Sequence, residues 1–294
     1  MKKHKKRRNI FPSARDDMQL ACDYPRSTSY RLAFTDQDFL LRDELRAVRL
    51  QLEWLKPDMV QQEHGIESTV VVFGGARFQD KEKALQQLAD LEQQLLGDPG
   101  NETLMRKLSR AQRVLRNSRY YDEARLLARR ITEVSMSHGS KEYVVVTGGG
   151  PGVMEAANRG AEEAGGKSIG LNIVLPHEQE PNPYITPEFC FQFHYFAIRK
   201  MHFLLRAVGL IACPGGFGTL DELFETLTLI QTGRVGHLPV ILLGREYWTR
   251  LIDFDFLVEQ GAIDEEDLDL FHIVDSHEEA WQILSQAWEL QSAE

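Results

Sequence analysis

Leu210-Ile-Ala-Cys-Pro-Gly-Gly-Phe-Gly-Thr-Leu-Asp-Glu222 decides how this chain is read. Leu210 to Cys213 is a short apolar strand pattern. Pro214 to Gly218 is a turn, and a helical pattern runs from Thr219 to about Gln231. A buried strand that passes through glycines into a helix is the repeating unit of a parallel α/β sheet. The unit recurs upstream. Tyr143-Val-Val-Val-Thr147 enters Gly148-Gly-Gly-Pro-Gly152 and a helix over Val153–Ala164. Thr69-Val-Val-Val-Phe73 enters Gly74-Gly75-Ala76-Arg77. Ser168–Val174, Phe189–Phe193 and Val240–Leu243 read as further strands. Tyr120–His138, Ala197–Val208, Glu246–Glu259 and Glu278–Leu290 read as helices. This alternation predicts a Rossmann-like, doubly wound, mostly parallel sheet with helices on both faces.

Two segments do not fit the alternation. Between Arg77 and Tyr120 lie polar residues punctuated by Leu, with Gly97-Asp-Pro-Gly100 in their middle. Lys81–Leu96 and Thr103–Leu115 then form a helical hairpin inserted at about 81–117. The other segment is the N-terminal arm. Residues 1 to about 35 are polar and irregular, and Asp36–Lys56 has helical spacing that Pro57 is expected to stop. The expected organisation is a basic flexible tail and N-terminal helix over 1–60, and a nucleotide-binding domain over 61–294.

Composition narrows the classes. The chain has 294 residues, 43% of them hydrophobic and 27% charged, which is ordinary for a globular protein able to bury a full core. A net charge of −10 argues against a dedicated nucleic-acid binder. Six of the first eight residues are Lys or Arg, which reads as a solvated tail or as a contact for RNA or anionic lipid. No apolar stretch approaches the ~18 residues of a membrane span. Cys22, Cys190 and Cys213 form no CxxC pair, so neither a disulfide framework nor a zinc site is expected. A reducing, cytoplasmic setting fits this, and neither a metal nor a cofactor is expected.

The glycine turns carry the chemistry. Gly permits close approach of backbone to a ligand. Successive N–H groups at a helix start favour an anion, and in an open parallel sheet ligands sit beyond the carboxyl ends of the strands. Each turn taken alone is equally read as a tight connection. Neither has the GK[ST] ending of a P-loop nor the GxGxxG spacing of a dinucleotide site. Two of them in one domain point to a phosphate. Glu222 also has two readings: partner of Thr219 in a capping box, or a carboxylate in the first helical turn, beside a bound phosphate ester. Arg199 and Lys200, ahead of the fifth strand, are placed to clamp an anion or orient that carboxylate, and surface solvation is the plain alternative for Lys200.

Pro214-Gly-Gly-Phe-Gly-Thr-Leu-Asp-Glu222 resembles the PGGxGTxxE signature of the LONELY GUY-type phosphoribohydrolases, often labelled "possible lysine decarboxylase". Arg199-Lys200 is similar to their RK element, and Gly148-Gly-Gly-Pro-Gly-Val-Met154 to their GGGxxGLM turn. Phe73-Gly-Gly-Ala-Arg77 resembles their first-strand loop, with Gly75 where that loop usually has Ser. The resemblance spans about residues 66 to 245 and suggests a longer, bacterial-type member. It implies hydrolysis of the N-glycosidic bond of a nucleoside 5'-monophosphate, AMP or a cytokinin nucleotide, to free base and ribose 5-phosphate. By motif position Arg199 and Glu222 are the catalytic pair. Gly74, Gly75, Arg77, Gly148, Gly149, Gly150, Gly152, Met154, Lys200, Gly215, Gly216, Phe217, Gly218 and Thr219 fall on the phosphate and nucleotide side. Phe193, Tyr195 or Phe196 is a candidate to stack on the base, with core packing as the alternative. A homodimer or larger homo-oligomer is implied as well. A non-catalytic nucleotide-binding or sensing protein remains the rival reading.

Overall fold

Seven short apolar runs form one sheet in the computed structural model, which describes residues 12–22, 24, 26–176 and 180–290. The basic run over 1–8 lies outside the described residues. The strands are β1 (Thr69–Phe73), β2 (Val144–Thr147), β3 (Ser168–Ile173), β4 (Cys190–Phe193), β5 (Ala207–Ala212), β6 (Val240–Leu243) and β7 (His272–Val274). Their order is β4-β3-β2-β1-β5-β6-β7 and every pairing is parallel. The helices are α1 (Ala14–Leu20), α2 (Gln37–Leu40), α3 (Arg46–Glu63), α4 (Lys81–Gly97), α5 (Glu102–Asn117), α6 (Arg119–Ser137), α7 (Val153–Glu163), α8 (Phe196–Leu204), α9 (Phe217–Gln231), α10 (Arg245–Leu251), α11 (Phe254–Glu259) and α12 (His277–Ala287).

The period of two along each strand sorts side chains into two cores. Val71, Phe73, Val146, Leu171, Leu210 and Leu242 point to one face and pack with Phe203 of α8, Leu223 of α9 and Trp248 of α10. Val70, Val72, Val145, Ile211 and Ile241 point to the other and pack with Leu127 and Ile131 of α6, Val153 of α7 and Leu284 of α12. Burying one such side chain contributes about 1.5–3 kcal/mol, and the two filled faces hold the sheet between helix layers. The inserted residues form the expected hairpin, α4 packed on α5.

Chain order fixes where a ligand fits. From β1 the chain moves outward through β2, β3 and β4, then returns to the other side of β1 as β5 and continues to β6 and β7. The chain order thus reverses between β1 and β5, and the crevice outside the carboxyl ends of strands at such a switch point is where an open parallel sheet binds ligands.

Several boundaries differ from the sequence reading. Pro57 does not stop α3, which continues to Glu63. An interior Pro costs about 3 kcal/mol. Here Pro57 is buried, Gln61 Nε2 donates to its carbonyl at 3.1 Å, and Asp58 pairs with Arg206. The helix expected over Ala197–Val208 ends at Leu204, and Ala207 and Val208 already belong to β5. The segment Glu246–Glu259 is two helices, α10 and α11, because Asp253 caps a new start by accepting from Phe256 N–H at 3.0 Å. β7 is an edge strand of three residues that the pattern missed.

The chain divides into two compact units, residues up to Glu53 and residues from Trp54 on. In the first, Ser13 and Asp16 form a capping box on α1, Asp36 caps α2, and Arg49 donates to the carbonyls of Leu40 at 2.8 Å and Arg42 at 2.6 Å. The second holds the sheet. No helix among the described residues is long and apolar enough to cross a membrane.

Candidate active site

Three glycine turns meet at the crevice. Cys213 N–H donates to Phe73 O at 2.9 Å, Gly75 N–H to Pro214 O at 2.9 Å, and Val153 N–H to Gly75 O at 3.2 Å. The turns after β1, β2 and β5 are thereby one cradle. Gly152 is obligatory in it: its φ is +77°, and a Cβ there would lie 2.3 Å from Gly75 O. Gly74 faces Val153 with equally little room, since a Cβ would sit 2.5 Å from its side chain. Gly75, in the place where the resembling loop has Ser, is explained locally: a Cβ would lie 2.5 Å from the Phe78 ring.

The Gly148–Gly152 turn is held by polar groups that pattern reading missed. Asn158 Oδ1 accepts from Thr147 Oγ1 at 2.7 Å and from Asn182 Nδ2 at 2.9 Å. Thr147 Oγ1 accepts from Gly149 N–H at 3.0 Å, and Asn182 Nδ2 also donates to Gly149 O and Gly150 O. Asn158 on the buried face of α7 is the one available signal, a polar residue where the helical period calls for an apolar one. Tyr247, likewise missed, donates its hydroxyl to Gly215 O and holds the third turn.

The start of α9 corrects the reading of Glu222. The helix begins at Phe217, with Gly216 as N-cap and no side-chain cap bond. Glu222 is therefore the sixth helical residue, not in the first turn, and the capping box is not formed. The N–H groups of Phe217 and Gly218 precede the intrahelical ladder, while Thr219 N–H donates to Gly216 O at 3.0 Å. A Cβ on Gly216 or Gly218 would meet nothing within 4 Å, so the space before the helix is open, whereas Gly215 is closed by the Thr219 side chain. Phe217 projects into solvent, 90% exposed.

Glu222 is buried here and Arg199 largely so, their side chains 9% and 12% exposed. Arg199 Nε donates to Leu171 O at 2.7 Å and its guanidinium lies 5.0 Å from the Phe203 ring centroid. A Cβ on Gly148 would stand 2.6 Å from Arg199 Nη2 and 2.8 Å from Met154 Sδ, so the guanidinium and Met154 both border the second turn. Arg199 Nη1 is 3.9 Å from Glu222 Oε1, a loose pairing. Desolvation consequently dominates: it pushes the Glu222 carboxyl up to about 7, against the opposing pull of Arg199 and Lys200, and it lowers the pKa of Arg199.

Of the other expected residues, Lys200 lies beside the pair and the rest lie further off. Lys200 Nζ bonds Asp221 at 2.8 Å and Glu225 at 3.1 Å; burial opposes its charge, but these two bonds outweigh burial and raise its pKa. Arg77 is exposed and borders the α4–α5 hairpin. Phe193 is core, 1% exposed, while Tyr195 is half-buried and Phe196 exposed. Among the described residues, one trio has the proximity of metal ligands, Glu123, His277 and Glu278, and it joins α6 to α12 rather than facing the crevice.

The family model described as "Possible lysine decarboxylase" matches residues 154–284, which include Met154, Arg199, Lys200 and the whole start of α9. That match covers less than half of the chain. Curated relatives carry a more specific name. The rice (Oryza sativa subsp. japonica) protein named "Probable cytokinin riboside 5'-monophosphate phosphoribohydrolase LOGL5" is 34% identical over 124 residues, 41% of this chain and 49% of that protein. Cytokinin riboside 5'-monophosphate phosphoribohydrolase LOG3 of Arabidopsis thaliana is 32% identical over 129 residues, 42% of this chain and 58% of that one. The chain thus spans about half of the length of these relatives. A solved structure of the molybdenum cofactor carrier protein from Chlamydomonas reinhardtii is 19% identical, with a TM-score of 0.41, covering 76% of this chain and 99% of that one. That likeness is too loose to bear on the ligand.

Proposed function

We propose that this protein hydrolyses the N-glycosidic bond of a nucleoside 5'-monophosphate, AMP or a cytokinin nucleotide, to free base and ribose 5-phosphate. The observation that carries the reading is Glu222, a carboxylate buried at the mouth of three joined glycine turns and loosely paired with Arg199. A pure binding site for an anion gains nothing from a buried carboxylate, which repels the ligand. A hydrolase gains a base whose pKa of about 7 matches neutral pH.

The roles follow from placement. The 5'-phosphate sits before α9, on the N–H groups of Phe217 and Gly218, with Gly216, Thr219 and the Gly74–Gly75 and Gly148–Gly152 turns forming the walls. Glu222 takes a proton from water as its oxygen attacks C1' of the ribose. The C–N bond breaks and its electron pair leaves with the base, which takes up a proton from solvent, while Glu222 returns its proton to solvent, so that the sum is water added across the bond. The same carboxylate stabilises the oxocarbenium-like ribosyl that forms. Arg199, fixed by Leu171 O, orients Glu222 and faces the anion. Phosphate binding supplies energy and position remote from the bond that breaks. The family label names a different reaction, which requires a Schiff-base lysine on pyridoxal phosphate. Lys200, beside the pair, is instead held by two carboxylates.

The same reading places 61–294 as the nucleotide-binding domain and 1–60 as an appendage, in a cytoplasmic homodimer or larger homo-oligomer. Exposed apolar residues on α8 and α9, Phe196, Met201, Phe217 and Phe224, favour a covered face there. Light scattering that gives a 33.7 kDa species at micromolar concentration counts against the oligomer. The reaction itself is tested by incubating the protein with AMP and separating products by chromatography. Adenine and ribose 5-phosphate should appear, and Glu222→Gln should slow their release by on the order of 10²-fold or more. AMP bound but recovered intact would make the protein a nucleotide binder instead.

A further inference from the structure

A cleft of about 580 Å³ opens between the loop after β1 and the α4–α5 hairpin, away from the Arg199–Glu222 pair. Phe78, Leu91, Ala111 and Val114 line it on its apolar side, with Gln79, Gln87 and Asn117 as polar neutral lining. Its rim carries Arg77, Lys107, Arg110 and Arg113, and no carboxylate lines it. Among the described residues none of these four cations has a carboxylate within 4.0 Å. This is an unusual place on a chain of net charge −10. The helix that builds it, α5, holds five Lys or Arg against one Glu.

The walls are anchored. Asp80 accepts from Lys83 N–H at 2.9 Å, which caps α4, and also pairs with Arg159 of α7 at 3.6 Å. Lys83 pairs with Glu155 of α7 at 3.7 Å. The foot of the hairpin is therefore tied to the helix that leaves the Gly148–Gly152 turn. Cations held apart on a fixed frame, with no internal partner to give up, bind an anion without first breaking an ion pair.

We propose that this hairpin cleft is a second ligand site, for a small polyanion carrying two or more phosphates, with a nucleoside di- or triphosphate as the form that also uses the apolar wall. Lys107 and Arg113 stand about 9 Å apart along the helix axis, a span that one phosphate does not bridge and a polyphosphate chain does. The volume lies within the range of small-molecule sites, about 300–1,000 Å³, and does not admit a nucleic-acid duplex. Phe78, Leu91 and Val114 offer a surface for a base. The inference does not depend on hydrolysis at Glu222, because it concerns binding elsewhere.

The test is calorimetry on the full chain with ATP, inorganic tripolyphosphate and AMP. A triple variant Lys107→Glu, Arg110→Glu, Arg113→Glu changes exposed side chains only, and its melting temperature checks the fold; the corresponding triple Gln variant serves if the first does not fold. ATP affinity should fall by on the order of 10²-fold in the Glu variant and by on the order of 10-fold in the Gln variant, while AMP affinity stays unchanged. Binding of ATP should also weaken as salt is raised. Wild type that binds neither ATP nor tripolyphosphate overturns the proposal. So does a variant that binds ATP as well as wild type, or one that loses ATP and AMP together with an intact melt, since that places both ligands at the glycine turns. Tripolyphosphate bound as tightly as ATP overturns the part assigned to the apolar wall.

Discussion

Glu222→Gln should stabilise the protein at pH 8 relative to its effect at pH 5. The folded carboxyl titrates near 7 and its ordinary value is 4.5, because burial disfavours the anion more than Arg199 and Lys200 favour it. Between those two values the folded state binds a proton that the unfolded state has already lost. Stability from this group is therefore fully present below pH 4.5 and is lost as the pH rises through about 7. At about 1.4 kcal/mol per pH unit of displacement, the whole loss is about 3 kcal/mol. About 2 kcal/mol of it falls between pH 5 and pH 8. Gln has no proton to lose, so the variant escapes this term. Its melting temperature relative to wild type should be higher at pH 8 than at pH 5 by roughly 4–8 °C. The assay is thermal denaturation of both proteins at the two pH values, and the readout is a difference of differences, so any pH-independent effect of Gln drops out. An equal offset between variant and wild type at pH 5 and pH 8 would refute the argument that Glu222 is held as an under-compensated buried carboxyl.

The same titration predicts that AMP turnover by wild type rises with pH through about 7 and is flat above it, since a base must be ionised to act; a profile that falls over this range contradicts the role. Gly218→Ala adds a Cβ that meets nothing within 4 Å, so the melt should be unchanged or slightly higher, while AMP affinity should drop at least about tenfold if phosphate occupies that space. Gly152→Ala, at φ +77° and against Gly75 O, should cost about 1–3 kcal/mol in thermal unfolding or more. Arg199→Ala should weaken AMP binding and turnover together, and Arg199→Lys should not restore them, because a lysine cannot both donate to Leu171 O and reach Glu222.

The parallel sheet was legible because each of β1, β2, β5 and β6 is a run of β-branched or aliphatic residues that ends in glycine or leads to a helix. The hairpin was legible from its Leu spacing and its Gly-Asp-Pro-Gly break. The residue types of the candidate site were legible too, since glycines, Arg199 and Glu222 stand in a motif. Local pattern could not fix where α9 begins: Thr219 and Glu222 have the spacing of a capping box, but the N-cap is three residues earlier, at Gly216, just after Pro214, whose carbonyl accepts from Gly75 N–H. Nor could it foresee that α3 runs through Pro57 to the residues where Asp58 pairs with Arg206, or that Asn158 and Asn182 brace the second turn, because those pairings join segments far apart in sequence. Order along the chain determines which residues can be strand, turn or helix, since that depends on nearest neighbours and their period. The proton affinity of Glu222 depends on how much water the packed helices and turns remove from around it, and that quantity exists only once the chain has folded.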